Sequence, residues 1–275
     1  MKPLLCWLGV ILAGLCPACA VSAASADLAG WKLVWSDEFN GQALDPAKWG
    51  FEVNAEGGGN NELQYYVTNN VTVTNGLLTI TARREQFTGP EGTREFTSSR
   101  IRTLGKGDWC YGRFEMRARL PEGRGIWPAF WMLPTDSRYG GWPHSGEIDL
   151  VEMVGHLPEQ VHGTLHYSGP DGHHRYRGTN FALPTGKFAD GFHVFRTDWE
   201  PGVIRWYVDG RNYQTQTNWP AKAGPMPKPF DQRFHLLLNL AVGGGWPGNP
   251  DATTKFPQEF VVDWVRVYQR PQKGQ

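Results

Sequence analysis

The sequence predicts an all-β fold: two large antiparallel sheets packed face to face and curved, so that one presents a concave face able to hold a polymer. Three observations predict it. Across residues 31–268, short β-rich runs alternate with Gly, Pro, Asn and Asp. Two of the breaks, Asn75-Gly76 and Asp209-Gly210, are the dipeptides of two-residue type I′ hairpin turns. No segment carries a long amphipathic helical period. A chain of 275 residues without an internal linker or repeat suits one large unit of this kind.

The elements follow in order. Lys2, the apolar run up to Leu15 and the small residues ending Ala24-Ser25-Ala26 read as a secretion signal cleaved after Ala26. Pro17 interrupts the run, which argues against an uncleaved anchor, and neither Cys16 nor Cys19 follows a clean lipoprotein box. The protein is therefore expected in the periplasm or medium, as a single domain of residues 27–275. Cys6, Cys16 and Cys19 leave with the signal, so the mature chain has no internal disulfide. Cys110, between Trp109 and Tyr111, reads as a buried inert thiol.

Asp45-Pro46-Ala47-Lys48 is the one plausible helix start. Val71-Thr72-Val73-Thr74 and Leu77-Leu78-Thr79-Ile80-Thr81 flank Asn75-Gly76 as a hairpin, and residues 204–208 and 211–215 flank Asp209-Gly210 likewise. Residues 111–120 alternate Phe114, Met116, Ala118 and Leu120 with Arg113, Glu115, Arg117 and Arg119, a strand with one wet face. Residues 235–242 and 260–268 are nearly continuous apolar runs and read as strands covered on both sides.

Lys+Arg and Asp+Glu both number 27, so the formal net charge is zero. No basic field exists to release counterions from a nucleic acid or to hold a polybasic membrane surface. The compositional bias is aromatic, with 13 Trp.

The candidate chemistry lies in Gly146-Glu147-Ile148-Asp149-Leu150-Val151-Glu152. Only apolar residues separate the three acids, so this is a strand in a folded body rather than a solvated acidic patch. Glu147 and Asp149 share a face. Glu152, five residues from Glu147, points the other way unless one extra residue near Leu150 or Val151 forms a β-bulge. The bulge is expected. With it, Glu147 becomes a candidate nucleophile and Glu152 a candidate general acid, then base, with Asp149 tuning the pair. A metal site or a salt-bridged face are the other readings of three acids, although a calcium loop has polar spacers this run lacks.

Trp127 and Trp131 flank Pro128-Ala129-Phe130 and, at strand spacing, stand about 13 Å apart on one face, the span of two or three sugar rings. A Trp pair is also ordinary core. His166, after Gly163-Thr164-Leu165, is placed to bond a sugar or one of the acids, or is structural. His156, His162, His173 and His174 lack zinc spacing with a retained Cys.

These residues resemble glycoside hydrolase family 16. Glu147-Ile148-Asp149-Leu150-Val151-Glu152 matches its E-x-D-x-x-E signature in the six-residue form of the laminarinase (endo-β-1,3-glucanase) branch; the five-residue form marks lichenases, which lack the bulge. Trp35-Ser36-Asp37-Glu38-Phe39, Asn61-Glu62-Leu63-Gln64-Tyr65, Ser99-Arg100-Ile101, Tyr111-Gly112-Arg113-Phe114-Glu115, Trp127-Pro128-Ala129-Phe130-Trp131 and the run from Asn239 to Gly244 with Trp246-Pro247-Gly248 extend the resemblance over residues 31–269. It implies a concanavalin A-like β-jelly-roll sandwich with a cleft on the concave face. It implies Glu147 as nucleophile, Glu152 as acid/base and Asp149 as their helper, with Asn61, Arg100, Trp127, Trp131, His166 and Trp246 lining the cleft. It also implies a structural calcium held by Glu38, Gly76 and Asp263, with no cofactor needed for the chemistry.

The function expected is a secreted, endo-acting hydrolase of β-1,3-glucan that retains anomeric configuration and works as a monomer. The alternatives within the family are a mixed-linkage glucanase, a galactanase or a transglycosylase. A non-catalytic β-glucan-binding protein on the same scaffold would typically lack one or both glutamates, and both are present.

Overall fold

The computed structural model describes residues 30–271. The expected secretion signal, residues 1–26, lies outside them. The strands in chain order are β1 (Lys32–Asp37), β2 (Gly50–Glu52), β3 (Gln64–Tyr66), β4 (Val71–Thr74), β5 (Leu77–Ala82), β6 (Phe87–Gly89), β7 (Gly92–Arg94), β8 (Phe96–Ser98), β9 (Arg100–Arg102) and β10 (Gly112–Arg119). They continue as β11 (Ile126–Pro134), β12 (Glu147–Glu152), β13 (Gln160–Ser168), β14 (His174–Ala182), β15 (His193–Glu200), β16 (Val203–Val208), β17 (Arg211–Gln216), β18 (Phe234–Val242) and β19 (Gln258–Gln269).

Two antiparallel sheets form the sandwich, the jelly-roll arrangement expected. One runs β17-β16-β15-β10-β19-β5-β4, with β1 also on β19; the other runs β14-β13-β12-β11-β18-β9-β2. Two small two-stranded sheets accompany them, and one of these, β3 with β8, is parallel. The core between the large sheets is aromatic and aliphatic. Phe130, Met132, Ile148, Leu236, Leu238 and Leu240 come from the seven-stranded sheet, and Phe114, Met116, Trp206, Val262, Val265 and Val267 from the other.

Both hairpins form as the sequence dictates. Asn75 and Gly76 take φ of 52° and 75°, and Asp209 and Gly210 take 48° and 78°, the paired positive values of a type I′ turn. All nine residues of β18 are buried, as expected of a strand covered on both faces. The same expectation for residues 260–268 holds only in part. Phe260, Val261 and Val262 are buried, but Asp263, Trp264 and Arg266 are half-exposed, because the later part of β19 keeps one wet face.

Asp45-Pro46-Ala47-Lys48 closes a single turn, with the N–H groups of Lys48 and Trp49 both donating to the Asp45 carbonyl, and does not propagate into a helix. The one helical segment among the described residues is a 3₁₀ turn at Gly57–Gly59. Cys110 is half-buried rather than buried. Burial still pushes its thiol up to about 11, so it stays protonated and unreactive.

Candidate active site

The acidic strand β12 is built around a register shift. Against β11, Phe130 faces Val151 and Trp131 faces Asp149, leaving Leu150 without a partner. Against β13, Asp149 faces Thr164 and Glu152 faces His162, so Leu150 and Val151 together oppose Gly163. This is the bulge that the spacing of the acids requires. Its consequence can be read from the partners. Glu147 pairs with His166 and Glu152 with His162, and residues four apart on β13 share a face. Both glutamates therefore stand on the outer face of the seven-stranded sheet, while Ile148, Leu150 and Val151 are buried.

The bulge is tied from below. Trp206 of β16 reaches across the core and donates its indole N–H to the Asp149 carbonyl at 2.8 Å. Gly163 makes room for that ring: a Cβ there would lie 2.4 Å from Trp206 Cδ1 and 2.7 Å from the Tyr213 hydroxyl.

Two of the three acids each accept from one indole N–H. Trp127 Nε1 donates to Glu152 Oε1 at 3.0 Å, and Trp142 Nε1 donates to Glu147 Oε2 at 2.7 Å. His166 Nε2 lies 3.1 Å from Asp149 Oδ2, with its N–H off the line to that oxygen. Such loose geometry is common before substrate fills a site.

All three carboxyls are held above their ordinary range. Burial, then the charge of Asp149, pushes Glu147 up to about 8. Burial does the same to Asp149. Glu152 is driven well above its ordinary value by burial and then by both neighbouring carboxylates. Burial and mutual repulsion thus favour the protonated forms, and Glu152, repelled by two acids, is the group best suited to keep a proton.

Among the described residues, Glu147, Asp149 and His166 form a group whose potential ligand atoms fall within 4.8 Å of one another. Trp142 Nε1 already donates to Glu147 Oε2 within this group, and His166 Nε2 lies against Asp149 Oδ2.

The remaining expected cleft residues fall into two classes. Trp127 and Trp131 are half-exposed on β11, and Trp246, 42 % exposed, meets Trp127 edge-on at 5.5 Å. Asn61 is exposed on the turn after the 3₁₀ segment, whose Asn60 carbonyl accepts from Gly245 N beside Trp246. Arg100, in contrast, is buried. Its guanidinium stacks 4.6 Å from the Tyr66 ring and 5.4 Å from the Trp131 ring. Asn239 joins them, accepting from Trp131 Nε1 at 2.7 Å and donating to the Tyr66 hydroxyl at 3.3 Å. Arg100 thus packs against Trp131 and is largely covered.

Over residues 59–266 the sequence matches glycosyl hydrolases family 16. The chain belongs to this family. It is 48% identical over 254 residues to a beta-glucanase of Rhodothermus marinus, covering 86% of this chain and 85% of that protein. It is 42% identical over 252 residues to a glucan endo-1,3-beta-glucosidase of Cryptopygus antarcticus, covering 86% and 92%. Among solved structures, the laminarinase from Rhodothermus marinus superimposes with a TM-score of 0.78 at 47% identity, covering 88% of this chain and 98% of that one. The chain is a glycoside hydrolase.

Two site features of this glycoside hydrolase escaped the sequence. Trp142 lies in a Gly- and Pro-rich loop, and its closeness to Glu147 depends on how that loop folds. His174, on the neighbouring strand β14, hydrogen-bonds His166, a pairing that only the register of β13 and β14 reveals. The implied calcium set also differs. Glu38 accepts from Arg266 Nε and Nη2 at 2.9 and 2.8 Å, which holds its carboxyl below the usual range. Asp263 accepts from Arg117. Calcium at this set would therefore have to compete with Arg266 and Arg117 for the two carboxylates.

Proposed function

We propose that this glycoside hydrolase is a secreted endo-acting enzyme that cuts β-1,3-glucan of the laminarin type with retention of configuration. The observation that carries the reading is the β12 register. It places Glu147 and Glu152 on one open face, each with an indole N–H on its carboxyl. Relatives named for β-glucan and 1,3-β-glucan cleavage support this substrate.

In the first step the Glu147 carboxylate attacks the anomeric carbon while Glu152 gives its proton to the departing glycosidic oxygen. In the second step the Glu152 carboxylate takes a proton from water, whose oxygen attacks the same carbon and releases Glu147. Glu147 needs to be ionised to attack. The proton it shares with Asp149 can rest on Asp149, and the positive charge that develops on the sugar supplies the counter-charge the buried carboxylate lacks. Trp127, Trp131 and Trp246 offer ring faces and edges to the sugar chain.

The test is a reducing-sugar assay of purified protein on laminarin, lichenan and agarose in parallel, with the first-formed product anomers followed by NMR. Laminarin cleavage giving the β-anomer first is expected. Preference for lichenan or agarose would reassign the substrate, and α-product would reject retention. The same protein recovered from culture should begin just after Ala26; an intact Met1 terminus would remove the secretion signal.

A further inference from the structure

His174 has no part in the two steps above, yet it is joined to them. It opens β14 and faces Ser168 of β13. Its Nε2 lies 2.8 Å from His166 Nδ1, with the two rings 5.1 Å apart and inclined by only 18°. The indole of Trp142, which bonds Glu147, packs 4.8 Å from the His174 ring. The other nitrogen of His166 is the one 3.1 Å from Asp149 Oδ2.

A hydrogen bond between two imidazoles holds one proton, so one nitrogen donates and the other accepts. His166 Nε2 faces a carboxyl, which favours a proton on that nitrogen. A neutral His166 with Nε2–H has a bare Nδ1, which accepts from His174 Nε2–H. The other assignment, with His166 Nδ1–H donating, would set a bare nitrogen lone pair against the Asp149 oxygen.

We propose that His174 is a positioning residue for glycoside hydrolysis: by donating to Nδ1 it holds His166 neutral, and so denies Asp149 the imidazolium that would draw it into its ionised form and leave the shared proton on Glu147. This rests on the reading of Glu147 as nucleophile.

The surroundings agree. The groups around His174 are His166 from β13, Trp142 from the loop before β12, and Arg175 and Tyr176 from its own strand; Asp149 and Glu147 of β12 are reached through His166 and Trp142. Lys222 approaches the preceding turn at Gly172, and the Arg175 guanidinium is paired with Asp171. Partial burial, then His166 and Arg175, lower the proton affinity of His174, which favours its neutral, single-donor form. Without His174, His166 Nδ1 is free to take a proton from water. The resulting imidazolium draws Asp149 into its ionised form and leaves the shared proton on Glu147, where it blocks attack.

The test compares His174→Ala with His174→Gln, whose amide N–H retains a donor near the Nε2 position. For His174→Ala, kcat is expected to fall about tenfold with KM within twofold, and the acid limb of kcat/KM to move to higher pH. His174→Gln is expected to restore most of both. Independently of turnover, ¹⁵N NMR of the free parent enzyme should show His166 protonated at Nε2 and bare at Nδ1. A parent His166 protonated at Nδ1 overturns the proposal, as does a His174→Ala enzyme with an unmoved pH profile, or a Gln variant no better than Ala. Should Glu147→Gln retain activity, the nucleophile reading fails, whereas the tautomer measurement still reports on the histidine pair.

Discussion

The indole of Trp127 donates to Glu152 Oε1 at 3.0 Å while its ring meets Trp246 edge-on at 5.5 Å. One side chain therefore touches both the proposed proton donor and the exposed aromatic rim. The N–H favours the ionised form of Glu152, which opposes the upward push of burial and the neighbouring acids. Trp127→Phe keeps an aromatic face and loses the donor. Its kcat is expected to fall about tenfold, with the alkaline limb of the pH profile displaced upward. The melting temperature should stay within about 2 °C, because Trp127 is only half-buried. A large melting-temperature loss with unchanged kcat would make Trp127 a packing residue.

Glu147 links the site to stability. Its carboxyl is raised from an ordinary 4.5 to about 8 in the folded protein, by burial and then by Asp149. For a raised pKa, the stabilising contribution is fully present below the unfolded value and is lost as pH rises through the folded one. Glu147→Gln removes the titration. The variant should gain on the parent as pH rises from 4.5 to 8, and melt several degrees higher by pH 9, with the difference shrinking toward pH 4. Melting curves of both proteins across this range provide the check; a constant difference would mean that Glu147 does not carry the raised proton affinity.

Much of this was legible in the sequence because its signals are local. Asn75-Gly76 and Asp209-Gly210 specify their own turns, and parity alone demands a bulge once Glu147 and Glu152 must share a face. What escaped depends on distant chain. Arg100 looked like a cleft residue, yet Glu62, Tyr66 and Trp131 enclose it, and these converge only after β9 docks beside β18. The approach of Trp142 to Glu147 and the His166–His174 bond depend on a loop path and an interstrand register, neither of which is written in residue spacing.

The bulge makes a prediction about parity. Deleting Leu150 leaves Glu147 and Glu152 four positions apart, and a regular strand already places such residues on one face. The deletion should therefore remove the bulge without turning Glu152 inward. It also removes a side chain that is 3% exposed, costing about 2–5 kcal/mol, or roughly 5–15 °C in melting temperature. Measurable hydrolysis should survive, with altered preference between laminarin and lichenan. A folded deletion variant with no activity on either glucan would show that the bulge supplies geometry beyond parity.

The support beneath the bulge gives the sharpest stability test. Gly163 stands opposite Leu150 and Val151, and its missing side chain is the space that the Trp206 indole uses to reach the Asp149 carbonyl. In Gly163→Ala the new methyl would meet Trp206 at 2.4 and 2.6 Å and the Tyr213 hydroxyl at 2.7 Å. Overpacking of this kind costs about 1–3 kcal/mol, and displacing the indole adds about 1–3 kcal/mol for a buried carbonyl left unpaired. Trp206→Phe pays only the second cost and the smaller ring. Both variants should melt lower than the parent, Gly163→Ala by more, and both should lose kcat because the Asp149 backbone sets the positions of Glu147 and Glu152. Thermal melts alongside laminarin turnover would decide it: if Gly163→Ala kept parental stability and rate, the indole tie would have no part in holding the acids in place.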